Sequence, residues 1–407
     1  MARILFLAHR IPYPPNKGDK IRSWHFLEHL LEHHDVHLGF YIDEPADAKH
    51  VAFLESKVKS LCFESVSKRA QKLMALRGLV DGRPLTLAAY PKTKLATYVR
   101  DLTSAGEIDL IFLFSGATMQ LIEGVASDIP VIADLVDVDS AKWAAYSHVK
   151  PWPLSWLYRR EAQVLSDYER EITAATDATL FVSEDEAAVF RKTLNASLSA
   201  KVRAVSNGVN LSHFDPQRFE AAKAEGGPLK VIFTGAMDYA PNVEAAEWFT
   251  RSIWPRVRAK YPNAEFLIAG GPKVPEVVVL ERAEGVRVLG YVDDMAETIA
   301  SADVVVAPLL TARGIQNKVL EGMAMAKPVV ATPAAHEGIA ATAGDHLLVA
   351  ANEDEFARAL DELLTSKDKR ETVGNAARAF IEDHHSWASC LSILDKVIAE
   401  VMEARMK

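Results

Sequence analysis

The chain has 407 residues, 49% hydrophobic and 25% charged, the make-up of a globular protein long enough for two or three domains. Its formal net charge of -9 excludes a nucleic-acid coat protein, which needs a broad basic surface. Its two cysteines, Cys62 and Cys390, are too few and too far apart for a disulfide framework or a cysteine zinc site. The opening apolar run, residues 4–8, is too short for a signal-peptide core, and no stretch nears the roughly 18 apolar residues of a spanning helix, so the cytoplasm is the expected location.

Residues 3–8 read as a buried strand, ended by a Pro-rich loop at 9–20. A helix is expected from near Asp19, with Ile21, Trp24, Leu27, Leu30 and Leu31 on one face. Strands are expected at 35–41, 109–114, 129–133 and 178–182, and residues 53–105 as mostly helical. Residues 206–216 are turn-rich and 224–228 have linker composition. A fresh alternation follows: strand 231–235, a helix capped by Asn242 and running to about Tyr261, and strands 266–271, 286–290 and 304–309. A short helix at 316–326, a strand at 328–332, helical spacing from Glu353 and a last helix from Trp387 complete it.

Alternating strands and helices predict parallel sheets. The expected architecture is α/β, two Rossmann-like doubly wound domains: a first domain at 1–206, a linker at 207–228, a second domain at 229–385, and a last helix, 386–407, returning to the first. Such sheets bind ligands at the carboxyl ends of their strands, and two facing sheets would make a cleft.

The segment VVVAPLLTARGIQNKVLEGMAMAKPVVAT, residues 304–332, places a polar loop and a helix start after a strand. A helix start attracts anions, and Lys318 in the first turn opposes the helix dipole unless an anion binds there. Glu321, three residues on, shares its face, so an ammonium for a diphosphate and a carboxylate for a ribose diol stand together. In the N-terminal loop, Gly18 permits a tight backbone, while Lys17, Lys20 and Arg22 supply positive charge. Asp134, Asp137 and Asp139 follow a strand and fall at a ligand edge, where carboxylates orient a hydroxyl or stabilise a positive sugar. His9, His25, His29, His33 and His34 show no regular metal-ligand spacing, and no metal is expected. Residues 141–160 hold Trp143, Tyr146, Trp152, Trp156 and Tyr158 with four cations and no acid, a composition suited to an anionic membrane surface. The basic run at Lys68, Arg69, Lys72 and Arg77 adds to it.

Residues 304–332 resemble the donor-binding signature of family 4 glycosyltransferases, which have the two-Rossmann GT-B fold. FVSEDEAAVF (181–190), VSNGVNLSHFDP (205–216), VIFTGAMDYAPNVEAAEWF (231–249), LIAGGP (267–272) and the Ser386–Trp387 pair resemble the same family. More narrowly, DLVDVDSAKW (134–143) with TGAMDYAPN resembles the sugar transferases associated with the PEP-CTERM/EpsH exopolysaccharide system. The resemblance implies transfer of a sugar, with retention, from a nucleotide-diphosphate donor to an (exo)polysaccharide or polyprenyl-linked glycan, without metal or cofactor. It implies a cytoplasmic site, or one peripheral on the inner face of the cell membrane.

By the same resemblance Glu321 binds the donor ribose and Gly235 lets the backbone approach the phosphates. The donor-binding set is then Gly235, Arg313, Gly314, Gln316, Asn317, Lys318 and Glu321. Lys17, Gly18 and Asp19 fall on the acceptor or phosphate loop, and the expected catalytic carboxylate is Asp137, with Asp134 second. Two departures stand out. The family's earlier glutamate, eight residues before Glu321, is here Arg313, which suits a phosphate or an acidic sugar. No cation follows Gly235, where the stretch runs Met237, Asp238, Tyr239, Ala240, Pro241, Asn242. Two alternatives remain: a GT-B UDP-sugar 2-epimerase and a non-catalytic nucleotide-sugar-binding protein. A dinucleotide oxidoreductase is disfavoured, because no strand is followed by G-x-G-x-x-G.

Overall fold

Strand β1 (Arg3–Ala8) is buried without interruption from Ile4 to Ala8, as a strand covered on both faces must be. The computed structural model describes residues 1–125, 128–149, 151–222, 227–312 and 314–406. Arg313, expected at the donor site, lies outside the described residues. The chain divides into two compact units, Met1–Val205 with Leu391–Lys407, and Ser206–Cys390.

In the first unit β1 is joined by β2 (Asp35–Ile42), β3 (Ser60–Ser65), β4 (Leu110–Phe114), β5 (Val131–Val136), β6 (Ala178–Phe181) and β7 (Val202–Ala204). All pair in parallel, in the order β3-β2-β1-β4-β5-β6-β7. The second unit repeats the plan with β8 (Lys230–Thr234), β9 (Glu265–Ala269), β10 (Val286–Gly290), β11 (Val304–Ala307), β12 (Val329–Ala331) and β13 (Leu348–Val349), in the parallel order β10-β9-β8-β11-β12-β13. Each unit is thus a doubly wound α/β domain. In each, the order reverses between two central strands, β1 and β4 in one and β8 and β11 in the other. Ligands bind such sheets at that switch point, outside the carboxyl ends.

Burial of aromatic rings anchors the second sheet. Phe249 packs on Phe266 with ring centroids 4.4 Å apart, and Trp254 donates its indole N–H to the Glu284 carbonyl at 2.9 Å. Each such ring contributes about 1.5–3 kcal/mol by leaving water.

Four expectations change. Residues 60–65, inside the stretch 53–105 expected to be mostly helical, form β3; SLCFES sits at the sheet edge, half-buried, and so lacks a continuous apolar run. The expected strand 129–133 lies two residues further on, as β5, because Pro130 cannot donate to a ladder. Asn242 does not cap its helix: the cap position is Tyr239, helix Ala240–Trp248 runs on through a widened turn at Phe249–Ile253, and helix Trp254–Lys260 follows. The widened turn spans the residues just before Pro255, which lacks an N–H. Finally, residues 207–219 of the expected linker are packed structure of the second unit, with Leu211, Phe214 and Phe219 against its core, while Gly227 and Pro228 are exposed and 223–226 lie outside the described residues. The Val209 N–H donates to the His385 carbonyl at 2.7 Å, and Gly208 lies against the Trp387 backbone so closely that a Cβ would stand 2.6 Å from it.

Candidate functional site

In the second unit, the chain leaving β8 turns at Gly235, which neighbours Gly270 beyond β9. Gly270 has φ +110°, and a Cβ there would stand 2.1 Å from the Gly235 carbonyl oxygen. A Cβ on Gly235 would meet the Asn242 side-chain nitrogen at 2.7 Å. These glycines bring backbone, not side chains, to the switch point. Asn242 is buried and donates Nδ2–H to the Ala236 carbonyl at 2.8 Å, which holds the turn. Its Oδ1 and the neighbouring Thr234 Oγ1 are buried with no hydrogen-bond partner among the described residues.

Beyond β11 the chain continues to helix Asn317–Ala324. Gly314 takes φ +64° on the way, and its carbonyl accepts from Gln316 Nε2 at 3.3 Å. Gln316 occupies the cap position but gives no side-chain capping bond, so the helix start keeps the positive end of its dipole uncapped by a side chain. Asn317 Oδ1 accepts from Asn207 Nδ2 at 3.4 Å. Lys318 donates weakly to Gln316 Oε1 at 3.4 Å and lies 5.8 Å from the centre of the Phe233 ring, on β8. Lys318 and Glu321 are half-buried. Burial pushes the Lys318 ammonium down to about 8 and the Glu321 carboxyl up to about 7; their mutual attraction offsets part of each shift. Both groups are therefore poised to gain from a polar ligand that restores what burial removed.

In the first unit, His9 follows β1 and stacks on Phe114 of β4, ring centroids 5.9 Å apart. Burial lowers its pKa, and its Nδ1 is buried with no hydrogen-bond partner among the described residues. Ser115 and Val136, at the ends of β4 and β5, hold φ of +80° and +69°. Such backbone costs about 1–3 kcal/mol per residue and concentrates at functional sites. At Val136 the strand register also shifts, which re-aims the chain just before Asp137. Asp137 is half-buried, and burial, with the negative charge of Glu186 next, pushes its carboxyl up to about 6. Asp139 is raised too, chiefly by burial, with Lys142 opposing.

Asp134, the second catalytic candidate, has no exposed surface and is held by Arg22 through both oxygens, at 2.7 and 3.1 Å. Its Oδ1 also accepts the Val136 N–H at 3.1 Å, so the carboxylate ties Arg22 to the end of β5. In the N-terminal loop the charged side chains have partners. Lys17 pairs with Glu44 at 2.7 Å, Lys20 is buried against Asp47 at 2.6 Å, and Arg22 belongs to Asp134. Asp19 accepts from Arg10 at 2.7 Å, and Gly18 is the first residue of helix Gly18–His33. The loop's charge is largely spent internally.

Sequence reasoning missed Glu169, Tyr168 and Glu186. Glu169 and Tyr168 line a cavity of ≈ 40 Å³ with Ser115, Gly116, Asp137 and Asp139, room for water-sized groups only. Glu169 accepts from the Ser140 N–H at 3.0 Å and the Ser140 hydroxyl at 2.5 Å, and burial pushes it up to about 7. Glu186 accepts the Val138 N–H at 2.8 Å. Only Glu186 left a sequence signal, the Ser183-x-x-Glu186 pattern of a capping box; Ser183 does accept the Glu186 N–H at 3.2 Å. In the last turns of helix Gly18–His33, His29, Glu32 and His33 bring ligand-type atoms within 4.8 Å of one another.

Residues 228–366, most of the second unit, match the family model described as "Glycosyl transferases group 1". Together with the two-sheet architecture, this supports a GT-B glycosyltransferase. An "Uncharacterized 44.6 kDa protein in cps region" of Klebsiella pneumoniae is 21% identical over 97% of this chain and 100% of its own length. A GDP-mannose-dependent monoacylated alpha-(1-6)-phosphatidylinositol monomannoside mannosyltransferase of Corynebacterium glutamicum is 29% identical over 33% of this chain and 38% of its own. Among solved structures, Anabaena HepE in complex with UDP and glucose superposes with a TM-score of 0.67 at 14% identity, covering 98% of this chain and 100% of that one. Sucrose-phosphate synthase from Thermosynechococcus elongatus gives 0.66 at 15% identity, covering 99% and 100%. At such identities these structures show the fold.

Proposed function

We propose that the protein transfers a sugar, with retention, from a nucleotide-diphosphate donor bound in the second unit to a hydroxyl of an (exo)polysaccharide or lipid-linked glycan recognised by the first. The observation that carries this is the half-buried Lys318–Glu321 pair at the switch point of the second sheet, beside the glycine turn at Gly235. A diphosphate supplies the anion that Lys318 and the uncapped helix start lack. A ribose diol supplies donors to the Glu321 carboxylate. That the HepE structures are complexes with UDP, and with UDP-glucose, favours such a donor. The Klebsiella relative's place in a cps region favours a polysaccharide product.

The bond between the anomeric carbon and the diphosphate oxygen breaks, and the acceptor oxygen bonds to the same face of the sugar. A donor phosphate oxygen takes the acceptor proton, so no metal or cofactor enters. Asp137 is the proposed catalytic carboxylate; mostly ionised at neutral pH, it stabilises positive charge on the sugar. Asp134 and Arg22 position the strand end that presents it. Lys17, Gly18 and Asp19 flank the acceptor. The site is cytoplasmic or at the inner membrane face.

A thermal-shift screen with UDP-, GDP-, ADP- and dTDP-sugars tests the donor, since a ligand of the folded state raises its stability. One nucleotide class is expected to raise the midpoint, and the same sugar to appear in a glycan only when acceptor is present. No shift from any donor would overturn the reading, and donor turnover without acceptor would point to the epimerase.

A further inference from the structure

The twenty residues 141–160 do not present their aromatics together. Trp143 and Tyr158 pack edge to face at 4.9 Å, with Tyr146 against Tyr158, and all three are half-buried. Trp152 (81% exposed), Leu154 and Trp156 instead stand in solvent. A second set of exposed apolar side chains lies on helix Lys68–Val80: Leu73 (69%), Leu76 and Val80 (88%), at helical spacing on one stripe.

Hydrogen bonds tie the two helices that carry these sets. Arg160, on helix Leu154–Ala175, donates to the Gly78 carbonyl at 2.7 Å and the Arg83 carbonyl at 3.0 Å, capping the last turn of helix Lys68–Val80. Trp156 is one helical turn before Arg160, on the same side, and Val80 is two residues after Gly78. Cations rim this apolar surface: Arg69, Lys72, Arg77 and Arg159 are all exposed. Neither 68–80 nor 141–160 contains an Asp or Glu, in a chain whose net charge is -9. Asp81, the cap residue after Val80, is the exposed acid that borders these helices' cations. Exposed leucines, valine and tryptophans among mostly cationic neighbours are unfavourable against water and complementary to an anionic bilayer, which takes the rings and apolar stems at its interface and the charges at its headgroups.

We infer that helix Lys68–Val80 and the Trp152–Trp156 turn form one surface that docks the protein on an anionic lipid membrane. The surface is carried by the first unit alone, and its test needs neither donor nor acceptor, so its failure and that of the glycosyl-transfer reading are separable.

The experiment is sedimentation of the full chain with vesicles of phosphatidylcholine alone, or with phosphatidylglycerol added, at low and high salt. Wild type is expected to pellet with the anionic vesicles only, less at high salt, with a blue shift of tryptophan emission. Lys72→Gln with Arg77→Gln is expected to weaken binding roughly thirtyfold, at roughly fivefold per cation. Trp152→Ser with Trp156→Ser is expected to remove both pelleting and blue shift, with an unchanged unfolding midpoint showing that the variant folds. Equal binding to neutral vesicles, no binding at low salt, or binding unaffected by the substitutions would overturn the inference. So would self-association of the wild type that the same substitutions abolish, because the surface would then be an interface between copies.

Discussion

Arg22 and Asp134 lie side by side in the first unit with no exposed surface: Arg22 Nε donates to Asp134 Oδ2 at 2.7 Å and Nη2 to Oδ1 at 3.1 Å. The same guanidinium donates to the Val205 carbonyl at 2.8 Å and sits 4.4 Å from the Phe26 ring centre. One ion pair therefore joins a helix, β5 and the chain beyond β7.

Removing one partner strands a buried charge. Arg22→Met and Asp134→Asn are each expected to lower stability by about 3–5 kcal/mol in urea unfolding, while the double change Arg22→Met with Asp134→Leu costs less than either. Additive losses would show that the pair is not coupled.

Gly270→Ala is expected to lower stability by about 3 kcal/mol or more. Its Cβ would stand 2.1 Å from the Gly235 oxygen, and φ +110° is strained for any side chain. Because the displaced atom is backbone of the proposed phosphate turn, donor affinity should fall with it; calorimetry on the folded fraction checks that.

Glu169 makes stability depend on pH. Its folded pKa, about 7, lies above the ordinary value of 4.5, so between those values the folded state binds more protons than the unfolded one. Its contribution is full below that window and is lost as pH rises through 7. Glu169→Gln, which keeps a neutral acceptor for Ser140, is expected to flatten the decline between pH 5 and 8 by on the order of 2 kcal/mol. Unfolding midpoints of both forms at the two pH values measure it.

Asp137→Asn is expected to cut sugar transfer about a hundredfold or more while leaving donor affinity within twofold, since it acts on charge developing in the transition state. Steady-state rates beside a donor titration separate the two effects. Lys318, pushed down to about 8, should make wild-type donor affinity fall above that pH as the ammonium is lost, and Lys318→Met should remove that dependence.

The fold was legible wherever burial on both faces produced unbroken apolar runs. Arg3–Ala8 and Val286–Gly290 stand where the sequence puts them, and the last helix starts at Trp387. Strand β3 was not legible, because an edge strand of half-buried serines and a glutamate carries no such run. At the candidate site, Lys318 and Glu321 could be paired from helical spacing alone. Glu169 could not be joined to Ser140 that way, because they lie 29 residues apart on different helices. Nor could composition say that Lys20 and Arg22 would be buried against Asp47 and Asp134; charge is visible in a sequence, but its partner is set by packing.

The most direct test of the central claim is calorimetric titration of the nucleotide-sugar found in the screen onto wild type and Glu321→Ala. Donor bound in the second unit through the Glu321 carboxylate predicts at least a tenfold weaker Kd for the variant, about 1.4 kcal/mol, with the fold intact by circular dichroism. An unchanged Kd would contradict it.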